Sequence, residues 1–426
     1  MKMLKIVGRH ELNAAQAEAG AAGQERREAV LHIIEEVRRD GDAALLRLTE
    51  KYDRVALPRL AVTEEEFAEA YRALDPDVLD ALRQAIANVR DYHERQMRES
   101  WMTTKESGTI MGQLILPLER VGLYVPGGTA AYPTSVMMNA VPALAAGVKE
   151  IVMTTPPGKD GKVNPAVLAA AAELGIREVF KVGGAQAIAA LAYGTETIRR
   201  VDKITGPGNA FVAAAKREVF GQVAIDMIAG PSEVVVLADE TADAAYVAAD
   251  LLAQAEHDPL ASVTLVTTSR SLAEEVRREA ATQLEGLDRR EIAAKALESY
   301  GAICVAASLE EAIEIVNELA TEHLQIQIRD PFAHLGAIKH AGAIFIGDDS
   351  PVAIGDYFAG TNHVLPTGRT ARFSSGLSVD DFLKKTSFVR YSRRDMLENG
   401  RQIAALARFE GLQAHARSVE LRLERS

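Results

Sequence analysis

The chain has 426 residues, of which 48% are hydrophobic and 25% are charged, an ordinary composition for a globular protein. At roughly 150 residues per domain, this length predicts two or three domains, each able to bury its own core. The formal charge is −12. An acidic chain without a basic block argues against a protein that holds nucleic acid through phosphate contacts.

The cysteine count and the apolar runs narrow the class of protein further. Cys304 is the single cysteine, which excludes an intrachain disulfide and the zinc frameworks that need two or four cysteines. The first residues carry only a very short apolar run, too short for a secretory signal. The longest candidate membrane segment, 135–148, is interrupted by Asn139 and Pro142. The sequence therefore predicts a cytoplasmic protein.

The first 100 residues have helical patterning. Apolar residues at helical spacing predict a helix over 25–53, whose first segment ends at Gly41, and a second helix that starts after Asp75. A strand-like stretch over 109–126 then leads to a pair of glycines.

Short β-branched runs alternate with alanine-rich helical segments in the centre of the chain. Such alternation predicts parallel βαβ units with helices on both faces of the sheet. The strand-like runs cover 149–157, 177–184, 201–208, 232–239, 262–269, 302–308 and 341–347. The final 50 residues are helical and rich in arginine, so the fold class is α/β with helical ends.

Three glycine-containing turns, 125–128, 182–184 and 204–210, each follow a predicted strand and precede a predicted helix. Open α/β sheets bind ligands at such turns, because glycine permits close approach and helix N-termini attract phosphate. None of them is a GxGxxG fingerprint. Each is therefore either a nucleotide-binding turn or a tight turn without a ligand.

Two pairs of side chains are candidates for chemistry. Gln254 and His257 lie three residues apart on one predicted helix, a spacing that suits a shared zinc ion or a plain surface pair. Glu322 and His323 are adjacent, where a helix meets a strand-like run. A carboxylate beside an imidazole offers two proton-transfer groups with different pKa values, provided that the helix ends there.

Two further stretches carry candidate residues. The segment 355–378 is long and rich in glycine and serine, contains Asp356 and His363, and predicts a functional loop. The last helix carries Glu410 and His415, which suit either a site or an exposed amphipathic surface.

Taken together, these stretches resemble the histidinol dehydrogenase family over essentially the whole chain. Nine motifs occur in family order: VGLYVPGG, AAYPTSVMMNAVPA, KVGGAQAIAALAYGT, ITGPGN, IAGPSE, LLAQAEHDP, TEHLQI, NHVLPTGRTARFSSGLS and EGLQAHARS. The sequence departs from the family at Gln325, where many members carry Glu, and at Arg369, where Gly is frequent.

The resemblance implies a set of site residues. One Zn²⁺ per subunit is held by Gln254, His257, Asp356 and His415, and these ligands also meet the substrate. The implied substrate contacts further include Ser232, His323, His363 and Glu410. The implied NAD contacts are Tyr124, Gln186 and Asn209.

The resemblance also implies a reaction. L-Histidinol is oxidised to L-histidine, in the last two steps of histidine biosynthesis, with two NAD⁺ and an aldehyde that stays bound. We hypothesise that His323 removes the hydroxyl proton as hydride leaves, and that Glu322 activates the water that hydrates the aldehyde.

The family resemblance further predicts two incomplete Rossmann-like domains in a homodimer. We assign 1–20 to an N-terminal arm, 21–125 with 232–378 to a first α/β domain that carries most metal and catalytic residues, and 126–231 to a second α/β domain on the NAD side. Residues 379–426 form a C-terminal helical segment that swaps between subunits, so that Glu410 and His415 complete the partner's site.

Three alternatives remain at the level of sequence. A related zinc and NAD dehydrogenase would act on another alcohol, such as a sulfonated diol, and should differ at the substrate positions. A zinc-dependent hydrolase would use metal-held water with Glu322 and would leave the glycine turns without a role. A non-catalytic nucleotide-binding module would not need Glu322 beside His323.

Overall fold

A computed structural model describes residues 4–15, 23–127 and 132–425 of the chain. Two parallel sheets and one small antiparallel sheet organise these residues. Gly128, the last residue of the first glycine turn, lies outside the described residues.

The larger sheet is parallel and has six strands, in the order β1-β11-β10-β9-β12-β13. Its strands β9 and β11 are mostly apolar, as expected where helices cover both faces of a sheet, while β12 also carries buried polar residues. The strands are β1 (Lys5–Val7), β9 (Glu233–Ala238), β10 (Ser262–Thr267), β11 (Gly301–Val305), β12 (His323–Gln327) and β13 (Ala343–Ile346). The helices associated with it are α1 (Arg9–Ala15), α9 (Ala244–Ala255), α10 (Arg270–Leu284), α11 (Arg290–Tyr300), α12 (Leu309–Leu319), α13 (Pro331–His334) and α14 (Val352–Tyr357).

The second parallel sheet has five strands, in the order β6-β5-β4-β7-β8. The strands are β4 (Arg120–Tyr124), β5 (Glu150–Thr155), β6 (Glu178–Lys181), β7 (Lys203–Thr205) and β8 (Ala224–Ile225). The helices packed around it are α2 (Gly23–Asp53), α3 (Glu64–Ala73), α4 (Pro76–Glu94), α5 (Pro133–Ala146), α6 (Pro165–Glu173), α7 (Gly184–Tyr193) and α8 (Ala210–Val219).

The third sheet is antiparallel and joins the end of the chain to an earlier segment. It consists of β2 (Trp101–Thr104), β3 (Ile110–Pro117) and β14 (Leu383–Arg390), with β3 in the middle. After β14 the chain ends in a hairpin of two helices, α15 (Arg393–Phe409) and α16 (Gln413–Glu424), which pack on each other.

The local predictions for the first 100 residues are confirmed. Gly41 interrupts α2 with a φ of 54°, a left-handed conformation that glycine adopts without strain. Asp75 caps α4 by accepting a hydrogen bond from the backbone N–H of Asp77, and Pro76 occupies the first helical position.

The α/β fold class is confirmed, while the grouping of the segments differs from the predicted one. Helices α2, α3 and α4, within 21–125, pack around the five-stranded sheet, and β4 is one of its strands. Strand β1, within the predicted arm 1–20, pairs with β11 at the edge of the six-stranded sheet. Apolar periodicity predicts that a helix buries one face, but it does not tell which sheet receives that face.

Two predictions drawn from composition can also be compared with the structure. Cys304 is buried in β11, as its apolar neighbours suggest. Among the described residues, no helix is both long and apolar enough to cross a lipid bilayer.

Candidate active site

Glu322 and His323 lie where α12 gives way to β12. Helix α12 ends at Leu319, Ala320 adopts a left-handed conformation with φ 46°, and the strand begins at His323. Because the helix has ended, the two side chains are close: His323 Nδ1 lies 3.5 Å from Glu322 Oε2. The condition for pairing these two groups is therefore met.

The backbone of Glu233 holds both side chains. Its N–H donates to Glu322 Oε2 at 2.9 Å, and its carbonyl lies 3.1 Å from His323 Nδ1. A carbonyl can only accept, so Nδ1 carries a proton and donates it. In the neutral ring the lone pair is then on Nε2, which is buried, has no hydrogen-bond partner among the described residues, and lies 3.7 Å from Asp356 Oδ1.

The electrostatics of this cluster differ from those of exposed groups. Burial raises the pKa of Glu322 to about 7. Burial acts to lower the pKa of His323, but the Glu322 and Asp356 carboxylates outweigh it and raise that pKa to about 9. Burial acts to raise the pKa of Asp356, yet the neighbouring imidazoles of His323, His363 and His257 hold it below its usual range.

Glu322 and His323 lie at the amino edge of the six-stranded sheet. His323 and Glu233 are the first residues of β12 and β9, and Ser232, partly buried, immediately precedes β9. Open α/β sheets more often bind ligands at the carboxyl ends of their strands. Helix α9 runs back from the carboxyl edge, so its last turn delivers Gln254 and the following His257 to this same amino edge.

The predicted loop over 355–378 contributes the next two residues. Asp356 lies near the end of α14, and its carbonyl lies 3.2 Å from Nδ1 of His363. His363 is partly buried, and this burial lowers its pKa. Further along, Arg369 has a φ of 65°, in the left-handed region that favours glycine.

The proposed metal ligands are divided between two regions of the chain. Gln254 is buried and its Nε2 has no partner among the described residues, and Asp356 acts electrostatically on His257. His415 and Glu410 are both exposed, on the separate α15–α16 hairpin. Within the described part of one chain, no three His, Cys, Asp or Glu side chains form a group that could hold a metal ion.

The predicted NAD contacts lie at the carboxyl edge of the five-stranded sheet. Tyr124 ends β4, and its hydroxyl accepts a hydrogen bond of 3.1 Å from the backbone N–H of Gly184. Gln186 is buried in the first turn of α7. Asn209 caps α8 through Oδ1, which accepts hydrogen bonds from two backbone N–H groups. This cap uses only the Oδ1 atom of the exposed Asn209 side chain.

A buried ion pair fixes the glycine turn that precedes α8. Lys216 pairs with Asp226, and both side chains are almost fully buried. Lys216 Nζ also donates to the Gly206 carbonyl at 3.0 Å, and Asp226 Oδ2 accepts from the Gly206 N–H at 2.8 Å. Both backbone groups of Gly206 are therefore held by charged side chains.

Sequence reasoning missed two residues near these sites. Glu233 lies in the IAGPSE motif, but only the structure shows that its backbone contacts both Glu322 and His323. Its own carboxyl accepts from the Gly368 N–H, and burial raises its pKa to about 6. Asp53, at the end of α2, has a buried Oδ2 without a partner in the described chain, and its charge acts on Tyr124.

One parallel sheet has glycine-containing turns at its carboxyl edge, and the other has a buried carboxylate beside an imidazole at its amino edge. The fold and the site together define an α/β dehydrogenase. The family model for histidinol dehydrogenase matches residues 17–423, and the chain belongs to the histidinol dehydrogenase family. It is an oxidoreductase of histidine biosynthesis that carries out NAD-linked oxidation.

Individual relatives agree with this assignment. Histidinol dehydrogenase of Geobacillus kaustophilus is 63% identical over 94% of this chain and 95% of its own length. That of Bacillus subtilis is 58% identical over 100% of this chain and 99% of its own. The crystal structure of histidinol dehydrogenase from Elizabethkingia anophelis superposes with a TM-score of 0.94 at 36% identity, covering 99% of this chain and 98% of that one.

The buried carboxyl of Asp53 leads to a prediction about stability. Burial raises its pKa from 3.8 to about 6, so in the folded state it releases its proton at a higher pH than in the unfolded state. Stability is therefore lost as the pH rises from about 4 through 6. We expect Asp53→Asn to be more stable than the wild type by about 1–2 kcal/mol at pH 8, after allowance for partial exposure, and nearly equal at pH 4.

Urea unfolding at the two pH values measures this difference. Asp40→Asn is the control of opposite sign, since hydrogen bonds from Arg39 and Arg47 lower the pKa of Asp40 to about 2. That variant should lose stability at pH 8. Equal stability of wild type and Asp53→Asn at pH 8 would contradict the prediction.

Proposed function

We propose that this chain oxidises L-histidinol to L-histidine through a bound aldehyde, with two NAD⁺ consumed, and that it works in the cytoplasm. One observation supports the proposal most. Glu322 and His323 are buried side by side, and the backbone of one residue, Glu233, holds both of them. Two successive oxidations need one group that takes the hydroxyl proton and another that activates water, and the pair offers both.

His323 is suited to the proton transfers that accompany hydride loss. Its Nδ1–H is held by the Glu233 carbonyl, which directs Nε2 toward the space beside Asp356. Nε2 therefore takes the proton of the substrate hydroxyl. The Asp356 and Glu322 carboxylates then stabilise the imidazolium, in agreement with the raised pKa of His323.

Glu322 is suited to the second oxidation. Its pKa of about 7 matches that of a general base near neutral pH. One of its oxygens is held by the Glu233 N–H, so the carboxylate keeps its position while it removes a proton from the water that attacks the aldehyde. Burial of both residues keeps bulk water away from the reactive aldehyde.

The donors in this region suit zinc. Gln254, His257 and Asp356 offer an amide oxygen, an imidazole and a carboxylate at one edge of the sheet, and His415 of a second subunit would complete a set of two nitrogens and two oxygens. When bound, Zn²⁺ would act as a Lewis acid for the imidazole and amine nitrogens of histidinol, and its charge would lower the pKa of His323. Ser232, His363 and Glu410 are the further proposed substrate contacts.

We place the NAD site at the carboxyl edge of the five-stranded sheet. The hydroxyl of Tyr124 is tied to Gly184 at the start of α7, and Asn209 is fixed as the cap of α8. Tyr124 ends β4 and Asn209 follows the neighbouring strand β7, while Gln186 follows β6 on the other side of β5. Helix N-termini at such an edge attract the pyrophosphate of a dinucleotide.

The exposed surface of the α15–α16 hairpin supports the proposal of a homodimer with shared sites. Helices α15 and α16 expose large apolar side chains, among which Phe409 is 92% and Leu406 is 67% exposed. Apolar surface of this kind marks an interface. Because Glu410 and His415 lie next to it, a second subunit that covers the hairpin would receive both residues.

The experiment that tests the reaction measures the number of NADH molecules formed per L-histidinol molecule consumed. We expect a ratio near two with zinc supplied, and a collapse of turnover after chelation that zinc restores. A ratio near one would indicate a single-step alcohol dehydrogenase. If the folded, zinc-loaded dimer shows no turnover, a related dehydrogenase of another alcohol becomes the better assignment.

Glu322→Gln should separate the two oxidations. The amide keeps an oxygen for the Glu233 N–H but cannot take a proton, so aldehyde formation is spared and its oxidation slows by roughly 10²–10⁴-fold. Single-turnover kinetics with histidinol and with the aldehyde measure the two steps. Glu314→Gln, on the surface of α12, is the matched control and should behave as the wild type. Equal loss of both steps would contradict this role.

Mixed dimers test the shared site. His323→Ala and His415→Ala homodimers should both be inactive, because each lacks one residue in every site. A heterodimer of the two carries one intact site, so random co-assembly should restore about a quarter of wild-type activity. If each chain formed its own site, mixing would restore nothing.

A further inference from the structure

A buried polar cluster is formed by Asp250 on α9 and by Gln325 and Gln327 on β12, the strand that begins with His323. The Asp250 carboxylate accepts two amide hydrogen bonds at one oxygen, 2.7 Å from Gln325 Nε2 and 2.8 Å from Gln327 Nε2. All three residues are buried, with exposures of 8%, 1% and 2% respectively. The proposed reaction uses none of them.

The cluster joins elements that carry the site. On α9, Asp250 precedes Gln254 by four residues, so the two side chains project toward one face, and His257 follows two residues after the helix ends. On β12, His323, Gln325 and Gln327 are two residues apart, so their side chains lie on the same face of the strand. The Gln325 amide nitrogen also lies 3.4 Å from the carbonyl of Ser350, just before α14, which carries Asp356.

We propose that Asp250 is a positioning residue that holds the end of α9, with Gln254 and His257, at a set distance from His323 on β12 and, through Gln325, from Asp356 on α14. This inference rests on the proposed zinc site, because its consequence is the alignment of the metal ligands. Asp250 itself touches neither metal nor substrate.

The chemistry of the cluster explains why a carboxylate suits this position. A carboxylate oxygen accepts two N–H groups at once, and hydrogen bonds to a charged acceptor are stronger than neutral ones. It also sets the orientation of both amides, since a flipped glutamine would point its oxygen at the carboxylate. The Oε1 atoms of Gln325 and Gln327 are buried without partners among the described residues, so no other contact described there fixes these amide oxygens.

The experiment compares zinc retention in full-length dimers of Asp250→Leu, Asp250→Asn and Val247→Ala. Val247 is buried on α9 one turn earlier and packs in the apolar core, so Val247→Ala is the control for simple destabilisation. Zinc loss is followed with a colorimetric chelator, and KM and kcat are measured with histidinol.

Removal of Asp250 should loosen the ligands on α9. We expect Asp250→Leu to lose zinc roughly 10- to 100-fold faster than the wild type, in line with residues that orient metal ligands, with a larger rise in KM than fall in kcat. Asp250→Asn keeps an accepting oxygen and should retain zinc nearly as the wild type does. Val247→Ala should melt at a lower temperature but retain zinc. If Asp250→Leu does not fold, Gln325→Met replaces it and should lose zinc at an intermediate rate.

Two results would overturn the inference while leaving the proposed function intact. One is wild-type zinc retention in Asp250→Leu or Gln325→Met. The other is zinc loss in Val247→Ala as fast as in Asp250→Leu, which would reduce the effect to general stability. A wild-type dimer that holds no zinc would instead refute the metal site, and this inference with it.

Discussion

The active site depends on the parallel pairing of β9 with β12. Their register places Glu233 beside Glu322 and His323, so that one peptide backbone donates to the carboxylate and accepts from the imidazole. The distance between acid and base and the tautomer of the imidazole are thus set by one contact. Since backbone groups supply it, the arrangement depends on the strand register and not on the Glu233 side chain.

The two parallel sheets use opposite edges. The five-stranded sheet presents its carboxyl edge, where glycine turns and helix N-termini suit a dinucleotide and the buried Lys216–Asp226 pair fixes one turn. The six-stranded sheet presents its amino edge, where strands start and α9 ends. At this amino edge, polar side chains come from the end of α9, the starts of β9 and β12, and the loop after α14. None of these segments offers a phosphate-binding turn.

The separate C-terminal hairpin explains why a single chain is insufficient for the proposed site. The amino edge of the six-stranded sheet carries Gln254, His257 and Asp356, while the C-terminal hairpin carries Glu410 and His415. The exposed apolar side chains of this hairpin suit an interface with a second subunit. The Asp250 cluster complements this division, because it links α9 and the start of α14, near the proposed ligands of one chain, through the glutamines of β12. Part of the site is thus built in one subunit, and the remainder is proposed to arrive with the other.

The sequence by itself determined the α/β class, the kink at Gly41, the cap at Asp75 and the family, because periodicity, turn residues and ordered motifs are local properties of the chain. Only the tertiary structure decided that α2, α3 and α4 pack around the five-stranded sheet, that Glu322 and His323 lie at an amino edge, and that the backbone of Glu233 contacts both of them. These facts depend on strand register and on contacts between residues far apart in the chain, such as the 90 positions that separate Glu233 from His323. Local patterns carry no information about such contacts.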